Sequence, residues 1–107
     1  MRTLIAAALL AVSTTASAQF MSGNDLLTRL TSDTATQRMH GLGYIVGVTD
    51  SLNSYAFCIP GGVNAGQLFD MMRNYLNNTP AERHLPADVV ISTALSIAFP
   101  CPKGKGV

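Results

Sequence analysis

The sequence predicts an all-α protein, a small orthogonal bundle of about four helices stapled by one disulfide. Three observations lead to that class. Apolar residues recur at helical spacing in several separate stretches. Ahead of these stretches stand helix-start signatures, in which a Thr or Asn precedes a Gln or Glu by three positions. Cys58 and Cys101 are the only cysteines among 107 residues, far enough apart to tie two ends of a small domain together.

The chain opens with an export signal. Arg2 places a positive charge ahead of the apolar run Leu4–Val12. Ser13-Thr14-Thr15 follows, and then the small-x-small site Ala16-Ser17-Ala18, which predicts cleavage before Gln19. The run is about half the roughly 20 residues that a membrane span needs. No lipoprotein-type cysteine follows it, so residues 1–18 are expected to be removed and the mature part to need no membrane. Arg2 leaves with the signal, and six basic residues then face six acidic ones. That balance gives no basic surplus for nucleic acid or an anionic membrane surface.

In an oxidising compartment a lone pair of cysteines reads as a disulfide. The alternative, two free thiols serving redox or metal chemistry, lacks a C-x-x-C spacing. What remains after cleavage makes one domain, residues 19–102, near the size at which a core alone is marginal. Lys103–Val107 reads as a frayed tail.

The elements follow in order. Ser22-Gly23-Asn24-Asp25 opens a short helix with Leu26, Leu27 and Leu30 on one face. Thr34 through Gln37 has capping-box form and leads into a stripe of Met39, Leu42, Ile45, Val46, Val48 and Leu52, running to about Tyr55. Gly41, Gly43 and Gly47 lie within it. Each costs about 1 kcal/mol relative to alanine, which suggests that another backbone packs close there. A β-strand over Tyr44–Thr49 is the competing reading. Pro60-Gly61-Gly62 makes a turn, and Asn64 with Gln67 forms a second box. The helix after it turns Leu68, Met72, Tyr75 and Leu76 inward and ends at Asn77-Asn78. Thr79 with Glu82 forms a third box, kept short because Pro86 restricts Leu85. The last helix, from Pro86 through Ala98, is apolar almost all round and should be the most buried. Pro100-Cys101-Pro102 stops it.

No catalytic constellation is present. Ser51 or Ser54 could be paired with His40 or His84, but nothing brings them together, and no G-x-S-x-G, H-E-x-x-H or P-loop occurs. The histidines and cysteines match no zinc spacing. Neither a metal nor a cofactor is expected, and the chain reads as no enzyme.

From Phe20 to Cys101 the pattern resembles the Rap/Tai family of type VI secretion immunity proteins. The matching pieces are Met21-Ser22-Gly23-Asn24-Asp25-Leu26-Leu27, Gly43-Tyr44-Ile45-Val46-Gly47-Val48, and Cys58-Ile59-Pro60 with Val63 and Ala65-Gly66-Gln67-Leu68. Tyr75-Leu76, His84-Leu85-Pro86-Ala87 and Ala98-Phe99-Pro100-Cys101 complete them. The resemblance implies a periplasmic helical protein with Cys58 bonded to Cys101. It also implies binding to a cognate peptidoglycan-degrading effector, an amidase or a muramidase, whose active site is blocked. A homodimer stays open.

Nothing in these motifs marks the effector contact. The polar groups Asn77, Asn78, Glu82, Arg83 and His84 make the Asn77–Leu85 bend the first candidate, although Glu82 could simply serve its cap. The Ser54–Asn64 loop beside the disulfide is the second. The functional alternative is an acid-stress chaperone of the HdeA type, which would have to loosen as its carboxylates protonate.

Overall fold

Hydrogen-bonding side chains at the predicted caps start three helices. A computed structural model of the chain describes residues 20–103. The expected signal segment, residues 1–18, its expected cleavage site at Ala16, Ala18 and Gln19, and residues 104–107 lie outside the described residues. Helix α1 spans Gly23–Leu30, α2 Ala35–Leu52, α3 Ala65–Asn78 and α4 Ala87–Ala98, with a single 3₁₀ turn at Pro80–Glu82. Among the described residues these are the four α-helices, and no strand forms, so Tyr44–Thr49 is helix.

At α1 the Ser22 hydroxyl accepts from the Asp25 N–H and the Asp25 carboxylate accepts from the Ser22 N–H, a closed capping box. Asn64 and Gln67 close the same box at α3. Thr34 caps α2 through the Gln37 N–H. Gln37, however, does not reach back: its Oε1 accepts from Arg29 at 2.6 Å. The third box is not made. Thr79 gives no cap, and its hydroxyl donates instead to the Tyr75 carbonyl. The turn at Gly61-Gly62 forms as expected, with Gly62 at φ +97°, a conformation costly for any residue with a Cβ.

All four helices touch one another. Their shared core holds Leu26 and Leu30 of α1, Ile45 of α2, Leu68, Met72 and Leu76 of α3, and Val90, Ile91 and Leu95 of α4. Phe57, from the α2–α3 connection, is fully buried among them. Each such side chain contributes on the order of 1.5–3 kcal/mol of burial free energy. Helix α4 supplies more of this core than any other, as expected, but it is not buried all round. Val89 and Ile97 are exposed, the latter 69%. Tyr75, expected inside, is only half-buried because its hydroxyl reaches out to Glu82.

Helix α2 departs most from its predicted stripe. Met39 is exposed, and only Gly41, Ile45 and Thr49 are buried. The three glycines separate into two kinds. A Cβ at Gly41 would lie 2.7 Å from Cδ2 of the buried Leu30, so α1 does pack against the backbone there. At Gly43 and Gly47 a Cβ would meet nothing within 4 Å, contrary to the close packing expected of them. Gly41→Ala should therefore cost about 1 kcal/mol net, overpacking exceeding the helix-propensity gain. Gly43→Ala and Gly47→Ala should each stabilise by roughly 0.5–1 kcal/mol. Urea unfolding midpoints that move in opposite directions for the two kinds would bear this out.

Candidate functional site

The bend after α3 is built by its own polar groups. Arg83 Nη1 donates to the Leu76 carbonyl at 3.2 Å, satisfying one of the orphan acceptors at the end of α3. Glu82 accepts from the Tyr75 hydroxyl at 2.8 Å. On its other side the bend supplies carbonyls to the start of α1: Leu85 accepts from the Gly23 N–H and Arg83 from the Asn24 N–H. The approach is tight enough that a Cβ at Gly23 would lie 2.9 Å from the Arg83 carbonyl oxygen. The Met21 carbonyl in turn receives the Ala87 N–H at the start of α4.

Of the five polar residues singled out here, the structure brings all into one bend but gives them two orientations. Glu82 and Arg83 are half-buried and hold α1, α3 and the bend together. Asn77, Asn78 and His84 are exposed and free to meet another molecule.

The second candidate segment begins where α2 stops. The helix ends at Leu52, three residues before the expected limit, because Asn53 turns extended and Ser54 enters the left-handed region at φ +78°. Tyr55 and Ala56 then donate back to the Leu52 carbonyl, and Ser54 donates to the Phe57 carbonyl at 2.7 Å. Asn53 Oδ1 accepts from the Ile59 N–H at 3.0 Å, and the Ser96 hydroxyl shares its one proton between the Ser92 carbonyl of its own helix at 2.7 Å and the Ala56 carbonyl at 2.9 Å. The Cys58–Cys101 disulfide and a bond from the Cys58 N–H to the Phe99 carbonyl fasten the next step of the chain to the end of α4. Tyr55 stands at the tip, 72% exposed.

Tyr55 lies at the expected limit of the helix and inside the Ser54–Asn64 candidate loop, and its exposure is what singles it out. The Asn53-Ser54 pair, both residues that favour caps and turns, is the signal that could have ended the helix sooner.

A groove of about 550 Å³ lies between α2 and α4, lined by Tyr44, Gly47, Val48, Ser51, Leu52 and Asp88. Burial, then the Asp88 carboxylate, raise the Tyr44 phenol above its usual value. Burial, then the hydrogen bond to Glu82, raise Tyr75 as well. The hydrogen bonds from Ser22 hold the Asp25 carboxyl below the usual range.

Ser51 and His40 have partners of their own. Ser51 donates to the Gly47 carbonyl within its own helix. His40 Nδ1 accepts from Arg29 at 2.9 Å. Among the described residues no group of three or more His, Cys, Asp or Glu side chains is placed to hold a metal ion, and no helix is long and apolar enough to cross a membrane.

Titration follows from these placements. The raised tyrosines stabilise the fold fully below their unfolded value near 10, and this contribution is lost as pH rises through their higher folded values. The lowered Asp25 stabilises above its unfolded value near 4, and is lost as pH falls through the folded one. Asp25 sits on the surface, and Thr49 is the buried polar side chain among the described residues. Protonating Asp25 in acid therefore loosens the cap of α1 and leaves the apolar core intact. Helical circular dichroism should persist at pH 3 and decline above about pH 10. Collapse between pH 5 and 3 would instead restore the chaperone alternative.

The family model of the Rap1a immunity proteins matches residues 22–101, from the N-cap of α1 to the second cysteine. No curated protein matches the chain.

Proposed function

Because the chain belongs to the family of Rap1a immunity proteins, we propose that it is exported to the periplasm and there binds and blocks a cognate peptidoglycan-degrading effector of type VI secretion, an amidase or a muramidase. The observation that carries the reading is the family match over the whole helical domain. The signal sequence and the oxidised cysteine pair support the compartment. Support for binding comes from a surface whose shape is fixed by caps and a disulfide. An inhibitor entering a concave site gains from such pre-organisation.

Within this proposal Asn77, Asn78 and His84 form the polar part of the contact, with Glu82 and Arg83 holding them in place. Arg83→Ala would disturb the ends of α1 and α3 together with the contact, so His84→Ala and Asn78→Ala are the cleaner probes of the bend. The proposal extends to a homodimer, which sedimentation at micromolar concentration decides; a single species of monomer mass removes that part.

The test of the function is recovery of the partner. The tagged full chain is expressed in its producer, and the processed protein is captured from the envelope and analysed by mass spectrometry. Recovery of one peptidoglycan hydrolase at near-equal stoichiometry is expected. A broad set of unfolded proteins, captured only at low pH, would point to a chaperone.

A further inference from the structure

We infer that the Asn53–Phe57 turn is a pre-organised plug whose Tyr55 ring enters an uncharged aromatic-accepting pocket in the cleft of the effector. The inference rests on the inhibitor reading and gives it an anchor residue on a different surface from the polar bend.

Three observations carry it. A short turn with one buried side chain, Phe57, is tied more heavily than its packing requires. Its backbone is fixed by bonds to Leu52 and Phe57, by the Asn53 side chain, by a shared bond from the Ser96 hydroxyl, and by the disulfide next to it. Its second residue, Ser54, is a non-glycine at φ +78°. A backbone conformation of that kind costs roughly 1–3 kcal/mol, persists only where its surroundings over-determine it, and clusters at functional positions. The residue presented by this strained and braced backbone is a tyrosine at 72% exposure, and tyrosine is among the residue types that dominate binding energy at interface centres.

The surroundings indicate the kind of pocket. Next to Tyr55 are Asn53, Ser54 and Ala56, and the turn is bonded to α4 at Ser96, beside the exposed Ile97. The turn itself carries no charge and is partly apolar, with the exposed Asp50 at its margin beside Asn53. It contrasts with the bend, where Glu82, Arg83 and His84 concentrate ionisable groups. A phenol ring on a neutral, convex, rigid tip fits an apolar slot with a hydrogen-bonding end, since tyrosine combines a large apolar face with one polar group. It does not fit a charged groove. Because the backbone of the turn is already fixed, little loop ordering remains to be done on binding.

The probe is the hydrolase that the wild-type protein retains from the envelope, purified and titrated by calorimetry against wild type, Tyr55→Ala and Tyr55→Phe. All three proteins are isolated from the periplasm of cells expressing the full chain. Tyr55→Ala is expected to keep the wild-type melting temperature, because the ring contacts little of its own fold, and to weaken binding roughly 30-fold or more. Tyr55→Phe keeps the ring and should fall between the two. Wild-type affinity should change by less than about threefold between 0.1 and 1 M salt, where screening shortens from about 10 to 3 Å. Unchanged binding by a folded Tyr55→Ala would overturn the plug and leave the inhibitor reading standing. Strong weakening of wild-type binding by salt would make the charged bend the dominant contact and overturn the uncharged pocket. Retention of no hydrolase by the wild type would overturn the inhibitor reading and the plug with it.

Discussion

Replacing Cys58 and Cys101 together by serine should lower the unfolding free energy by about 4 kcal/mol. The bond joins positions 43 apart, and closing a loop of that length removes roughly this much entropy from the unfolded chain. A small domain has about 5–15 kcal/mol in total, so the loss would take a large share of it. Guanidinium unfolding of the double variant reads it directly, and reduced wild type should show the same midpoint. A loss below about 1 kcal/mol would mean that the non-covalent ties beside the bridge, above all the Cys58 N–H to Phe99 carbonyl bond, already hold the two segments together.

Phe57→Ala should cost about 3–5 kcal/mol, the usual range for emptying a fully buried aromatic site. Phe57 is enclosed by the core, yet it belongs to a connection rather than to a helix. It therefore anchors the turn that carries Tyr55 as well as filling volume. Phe57→Leu should recover most of the loss, and chemical unfolding of both variants separates volume from mere apolarity. Because Phe57 and Cys58 are adjacent, combining Phe57→Ala with removal of the disulfide should deviate from additivity, as contacting sites commonly do.

The helix starts were legible in the sequence because capping is local. Ser22, Thr34 and Asn64 act within three residues of themselves, and each begins its helix where the residues indicated. Thr79 with Glu82 shows where locality fails, since Tyr75 and the α1 terminus claim this bend for tertiary bonding. The same boundary runs through α2. Gly41 does mark a close approach, but Gly43 and Gly47, four residues apart on the same helix, face open space. Composition cannot distinguish them, because the difference lies in where α1 crosses. Met39 and Ile97 also looked like core residues and are exposed, as the partner faces of their helices are set by the three-dimensional arrangement.

The candidate contact surfaces were legible as segments but not as residues. The bend was identified by its polar cluster, yet only the fold shows Arg83 bound to the Leu76 carbonyl while His84 faces outward. The loop beside the disulfide was identified by its place in the chain. Tyr55 falls inside that loop, yet nothing singles it out in the sequence, since the left-handed Ser54 that ends the helix has no signature stronger than its neighbour Asn53.

The central claim, that this protein neutralises a peptidoglycan hydrolase, is tested most directly by titrating it into a digestion of purified cell-wall sacculi by the hydrolase it retains. Hydrolysis should fall in proportion to added protein and stop at a fixed, low molar ratio, as tight active-site blockade requires. Undiminished hydrolysis in the presence of a molar excess of folded, oxidised protein would contradict it.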